Sequence, residues 1–245
     1  MSVILEVKDL AISFGGIKAV KNANFVLNQG EILGLIGPNG SGKSTCVNMI
    51  SGVYHQDRGQ ILYRGRELTA KDTIADRAKM GITRTFQTPK PFGHLSVYQN
   101  IYTIALQRYS PKDAAAKTEE ILEMTKLAPL ASMRSIKLPI EKRKWLDLAR
   151  ILTLDPKIIM MDEVMGGLNP SEMQESLQLV KKINKEGISV LFIEHVMKAV
   201  VEVCHRVVVL ADGNMLSEGV PEEVLKRPEV IEAYLGGGQK KNAAG

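Results

Sequence analysis

The sequence contains no uninterrupted apolar run of about 18 residues, the length a membrane-spanning helix requires, so no transmembrane helix is expected. Cysteine is scarce: Cys46 and Cys204 alone cannot build a disulfide framework, and a reducing compartment is expected. The N-terminus, Met1 to Glu6, lacks a basic lead and carries an acidic residue early, which argues against a secretory signal peptide. Aromatic residues make up only 5% of the chain, and the net charge of +5 is spread along it, with a small cluster at Lys240-Lys241. A nucleic-acid binder would need a concentrated basic stripe and aromatic platforms, so no nucleic-acid partner is expected. Internal repeats and low-complexity linkers are missing as well. What is present is 245 residues, 44% apolar and 24% charged, enough for one large domain or one domain with a sizeable insertion.

Periodicity divides the chain. Leu5 and Val7 alternate with Glu6 and Lys8, and Ala23, Phe25 and Leu27 recur at every second position. With breaks at Gly15-Gly16 and Asn28-Gln29-Gly30, this predicts short antiparallel strands. Glu31 to Ile36 reads as a buried strand, followed by a glycine-rich loop and a helix from Lys43; Gln60 to Tyr63 reads as a further strand. From Lys71 to about Thr153 the pattern is mainly helical (Val97–Gln107, Lys112–Leu127, Glu141–Leu152), with Gly81–Phe86 as a strand-like interruption. Beyond Asp155-Pro156 strands and helices alternate: strands at Ile158–Met161, Ser189–Ile193 and Val207–Leu210, helices at Pro170–Lys185 and from Val196, then two short C-terminal helices. Such alternation predicts a mostly parallel sheet covered on both faces.

Two segments carry chemistry. Gly37-Pro38-Asn39-Gly40-Ser41-Gly42-Lys43-Ser44 has the spacing of a phosphate-binding loop between a strand and a helix. Its glycines leave backbone N–H groups free to face phosphates, and the helix adds its positive N-terminal end. Lys43 supplies a mobile cation, and the Ser44 hydroxyl is suited to magnesium. The expected nucleotide-contacting set extends to Thr45. Far downstream, an apolar strand ends in Asp162-Glu163, at the edge where parallel sheets bind ligands. Asp162 is expected to hold magnesium and Glu163 to act as general base on the attacking water. Together the two segments predict binding and hydrolysis of Mg-ATP.

The order of these motifs resembles the ATP-binding subunits of ABC transporters over essentially the whole chain. The resemblance implies an α/β P-loop NTPase cassette: a RecA-like parallel-sheet core, an N-terminal antiparallel β subdomain and an inserted α-helical subdomain. It implies a single domain over residues 3–238, the insertion at about 88–154, and a flexible tail at 239–245. It assigns Phe14 to stacking on adenine, Gln87 to magnesium, the attacking water and sensing of the membrane partner, and His195 to the terminal phosphate. Gly167-Leu168-Asn169-Pro170 resembles the loop that crosses the nucleotide dimer interface. Asn169-Pro170, the run Ile193 to Met197 and the ending Glu232 to Gly236 resemble the ATPases of branched-chain (hydrophobic) amino acid importers. The implied partners are transmembrane permeases, a second ABC ATPase in a heterodimer or homodimer, and indirectly an extracytoplasmic binding protein. The implied location is the cytoplasmic face of the inner membrane, as a peripheral subunit.

The chain departs from the pattern where the family carries Leu-Ser-Gly-Gly-Gln. Here Leu138-Pro139-Ile140-Glu141-Lys142 keeps only the leucine. Pro139 removes a hydroxyl and an N–H, and suits a helix's first turn. Ile140 adds bulk, and Glu141 brings negative charge toward the polyphosphate of a partner, a charge that Lys142 and Arg143 are placed to offset without restoring the lost geometry. Val164 also stands where proline usually follows the acid pair. The alternatives to a transport ATPase are a soluble non-transport ABC ATPase and a weakly catalytic regulatory nucleotide-binding subunit.

Overall fold

The computed structural model describes residues 2–86 and 88–236. Strands β1 (Val3–Phe14) and β2 (Ile17–Asn28) pair antiparallel around Gly15-Gly16. The alternations expected to give several short strands instead give two long ones, because β-bulges at Val7/Leu10 and Leu10/Ile12 absorb the breaks in pattern. β3 (Ile32–Ile36) is buried throughout and leads through the glycine loop into α1 (Lys43–Ser51). β4 (Arg58–Tyr63) and the short β5 (Arg66–Glu67) extend the antiparallel side, and α2 (Ile74–Met80) precedes β6 (Ile82–Arg84). Three helices follow, α3 (Val97–Ala105), α4 (Pro111–Met124) and α5 (Ile140–Leu152), with short 3-10 turns between the last two. The chain then runs through β7 (Ile158–Asp162), α6 (Pro170–Lys185), β8 (Ser189–Ile193) and α7 (Met197–Val203). It ends with the hairpin of β9 (Arg206–Ala211) and β10 (Asn214–Gly219), then α8 (Pro221–Val224) and α9 (Pro228–Gly236). The tail expected at 239–245 lies outside the described residues.

The strands form one curled sheet in the order β5-β4-β1-β2-β10-β9-β3-β8-β7-β6. Pairing is parallel from β9 through β3, β8 and β7 to β6, and antiparallel among β5, β4, β1 and β2. The parallel strands bury both faces, and alternate residues go to different cores. Ile32, Ile36, Val190, Phe192, Ile159 and Met161 join the helices α3 to α7 on one side. Leu33, Leu35, Leu191, Ile193 and Met160 join α1 and the antiparallel strands on the other. Each such side chain contributes roughly 1.5–3 kcal/mol when fully buried, so neither core is dispensable.

Helix starts follow local chemistry. Thr73 with Asp76, Ser96 with Gln99, and Asn169 with Glu172 form reciprocal capping boxes at α2, α3 and α6. α1 is different: its N-cap is Gly42, at φ 104°, with no side-chain cap, so the first N–H groups remain open for another acceptor.

Candidate nucleotide site

Three carboxyl ends meet in one row across the sheet. Leu35 of β3 lies opposite Ile193 of β8, and Ile193 lies opposite Asp162 of β7. The glycine loop, His195 and the Asp162-Glu163 pair, distant in sequence, therefore emerge side by side. In parallel sheets this edge is where ligands bind.

The glycine loop has its shape for steric reasons. A Cβ at Gly37 (φ 146°) would stand 2.0 Å from the Leu210 carbonyl oxygen, and one at Gly42 would stand 2.7 Å from that of Ala19. No side chain fits at either place. Lys43 Nζ reaches back to donate to the carbonyl oxygens of Gly37 at 2.7 Å and Pro38 at 3.0 Å, so the loop wraps around a buried ammonium. Burial lowers the Lys43 pKa, opposed by the charges of Glu163 and Asp162, which places all three groups in one electrostatic neighbourhood. The hydroxyl of Ser41 is buried with no hydrogen-bond partner among the described residues. Ser44 is exposed and Thr45 half-buried in the first turn of α1.

Asp162 is buried at the end of β7. Burial raises its pKa, Glu163 acts in the same sense, and Arg84 and Lys43 oppose them. Arg84 was not among the residues expected at the site. Its guanidinium pairs with Asp162 Oδ2 at 3.3 Å, donates to Asn48 Oδ1 of α1, and lies over the Phe86 ring at 4.9 Å. Glu163 is half-buried, adopts φ 51°, and donates its N–H to the Ile193 carbonyl at 2.9 Å. His195 is exposed just past β8; a Cβ on Gly166 would lie 3.8 Å from its Cε1, so the loop after Glu163 runs against the imidazole. Gln87, expected to reach magnesium, lies outside the described residues.

Phe14 is 44% exposed at the tip of the β1–β2 hairpin and meets Tyr54 edge-on, ring centroids 5.1 Å apart. Tyr54 is a second aromatic that the sequence reading missed; nothing local marks it, because it reaches Phe14 only through the fold. The structure also revises the reading of Leu138 to Lys142. Pro139 is the N-cap of α5 rather than a first-turn residue, and it offers no side-chain cap. Glu141, expected to face a polyphosphate, is buried and paired with Lys142 Nζ at 3.0 Å. That same ammonium lies 3.8 Å from Glu175 Oε2 and 3.6 Å from the centre of the Trp145 ring, so Glu141 has its ion-pair partner within the chain.

The donor set fits magnesium in a particular way. Among the described residues no group of three or more His, Cys, Asp or Glu could hold a metal alone. Magnesium is commonly held by one or two protein oxygens together with substrate phosphates, and Ser44 and Asp162 would supply oxygens of that kind.

Beside this edge lies a cleft of about 320 Å³, lined by Arg84, Thr85, Phe86, Ile104, Asp147 and Arg150 among others. Phe86 is 55% exposed at its mouth, and burial raises the pKa of Asp147 against the opposing Lys90 N–H and Arg150. No helix among the described residues is long and apolar enough to cross a membrane.

Residues 20–166 match the ABC transporter family, and residues 214–240 match the branched-chain amino acid ATP-binding cassette transporter family. The chain is 34% identical over 250 residues to the high-affinity branched-chain amino acid transport ATP-binding protein LivG of Escherichia coli, covering 95% of this chain and 98% of that one. It is 33% identical over 247 residues to a probable LivG of Archaeoglobus fulgidus, covering 95% of each. Among solved structures, the ADP conformation of an ABC transporter's ATP-binding cassette superposes with a TM-score of 0.87 at 30% identity, covering 96% of this chain and all of that one.

Proposed function

This chain belongs to the ABC transporter ATP-binding family, and from that premise we propose that it energises uptake of branched-chain or other hydrophobic amino acids. It is an ATP-binding, ATP-hydrolysing cassette. The transport assignment rests on the relatives' names and on the match at residues 214–240.

The observation that carries the site assignment is the row Leu35–Ile193–Asp162, which places the glycine loop beside the acid pair and His195. The glycine-loop N–H groups around Gly40 and Gly42 to Thr45, with the open first turn of α1, receive the phosphates, while Pro38, Asn39 and Ser41 shape the loop. Lys43 exchanges its two carbonyl partners for phosphate oxygens. Phe14, beside Tyr54, stacks on the base. Ser44, Asp162 and Gln87 would hold magnesium, which would neutralise phosphate charge. Glu163 accepts the proton of the attacking water, and His195 contacts the terminal phosphate.

The partners are membrane permeases, a second cassette and, indirectly, an extracytoplasmic binding protein, with this subunit peripheral on the cytoplasmic face of the inner membrane. The cleft at Arg84, Phe86 and Ile104 suits a permease segment, since it joins exposed apolar surface to charge. ATP binding at two half-sites closes the cassette pair, and hydrolysis resets it. The pair is asymmetric: with Pro139, Ile140 and the internally paired Glu141 in place of a hydroxyl and glycines, this chain completes its partner's site poorly. Its own ATP is therefore the one hydrolysed efficiently.

The test is Glu163→Gln in the reconstituted transporter, set against the equivalent change in the partner cassette. The change here should abolish most turnover while ATP stays bound, and the partner change should do little. If only the partner change stops turnover, the asymmetry runs the other way.

A further inference from the structure

The loop between β7 and α6 is gripped from two sides by side chains that the nucleotide site has not so far used. Glu194, fully buried just past β8, accepts the Met165 N–H through Oε1 at 2.7 Å. Its Oε2 is buried with no hydrogen-bond partner among the described residues. From α5, Lys144 Nζ donates to the carbonyl oxygens of Val164 at 3.1 Å and Gly166 at 2.5 Å. Three successive residues of the loop thus have their backbone held by side chains, one from just past a core strand and one from the helical segment.

What these bonds fix is the loop that starts at Glu163. That residue sits at φ 51°, a left-handed conformation that a non-glycine side chain adopts only when its surroundings enforce it. The loop also runs along His195, as the approach of Gly166 to the imidazole shows. A buried carboxylate is costly to desolvate, and the backbone N–H groups of Met165 and His195 are what Glu194 holds in return. Burial disfavours both charges: it raises the pKa of Glu194 and lowers that of Lys144, and the charge of Glu194 partly offsets the latter.

We propose that Glu194 and Lys144 are positioning residues that hold residues 163–166 in the conformation presenting Glu163, and that Lys144 makes this conformation depend on the placement of α5. The proposal rests on Glu163 as the general base. Glu194 ties the loop to the core and Lys144 ties it to the helical segment. A displacement of α5 relative to β8 then pulls on Val164 and Gly166 and turns Glu163 away from its geometry. Turnover is sensitive to this; nucleotide affinity, set at Gly37 to Thr45, is not.

The experiment compares Glu194→Ala, Glu194→Gln, Lys144→Met and Lys144→Arg by three readouts. These are ATP affinity of the chain, kcat and KM of the assembled transporter, and hydrogen exchange at the Met165 amide. Glu194→Ala and Lys144→Met should keep ATP affinity within about twofold, lose about tenfold or more in kcat, and speed exchange at Met165. Glu194→Gln and Lys144→Arg, which retain an acceptor and a donor, should restore most of the turnover. Wild-type kcat in Glu194→Ala together with faster exchange at Met165 overturns the proposal. So does a loss of kcat matched by an equal loss of ATP affinity, which marks a merely structural role. A wild-type chain that binds no ATP overturns the nucleotide-site reading, and this proposal with it, whatever the exchange at Met165.

Discussion

Burial works against the charge of Lys43, of Asp162 and of Glu194 alike, and each is held by different partners. For Glu194 this has a consequence in stability. Its folded-state pKa lies above that of an ordinary Glu, with burial as the main cause and the Met165 N–H and His195 opposing it. A carboxyl with a raised folded pKa contributes stability that is complete below the unfolded value and lost as pH rises through the folded value. Glu194→Gln cannot ionise and escapes that loss. Its urea midpoint should therefore gain on wild type as pH is raised from about 5 to 8, the span above the ordinary carboxylate range. A difference that stays flat with pH would show that Glu194 does not titrate in this span. Lys43, Ser44, Asp162 and Glu163 could be singled out in the sequence because each lies inside a short motif with its own spacing. Arg84, Lys144 and Glu194 were not, because their value lies in partners far along the chain: Arg84 and Asp162 are 78 residues apart.

At the scale of elements, the helix that carries the nucleotide loop is fastened at its other end by an arginine. Arg77 is 1% exposed, donates to the carbonyl oxygens of Met49 and Ile50 that end α1, and also to those of Asp72 and Thr69. Arg77→Met should cost about 3 kcal/mol or more, since it strips the Ile50 and Asp72 carbonyls of this donor and removes one of two bonds from those of Met49 and Thr69. Urea unfolding measures this, and a cost under about 1 kcal/mol would mean that water replaces the guanidinium. Capped helices such as Pro170–Lys185 were readable from sequence to the residue, because Asn169, Pro170 and Glu172 announce the start. The hairpin of β9 and β10 was missed, although Asp212-Gly213, at φ 46° and 78°, is the dipeptide such a tight turn requires. Its second strand alternates too weakly to be seen alone, yet it joins the antiparallel and parallel parts of the sheet.

For the molecule as a whole, a ligand that binds only the folded state stabilises it. Mg-ATP at a hundredfold excess over Kd should add about 2.7 kcal/mol, raising Tm by several degrees for a chain of this size. Lys43→Ala should abolish the shift, measured against the variant's own unliganded Tm; an equal shift in the variant would place ATP elsewhere. The sequence by itself determined the strand–loop–helix around Gly37 to Ser44, the acid pair at the end of an apolar strand, and the α/β class, since these follow from spacing and periodicity within short windows. Only the tertiary structure decided that Leu35, Ile193 and Asp162 share one row, that Glu141 turns inward to Lys142, and that Glu194 and Lys144 grip one loop. Those outcomes depend on which strands become neighbours and which side chains are driven out of water, and both are settled by packing of the whole chain.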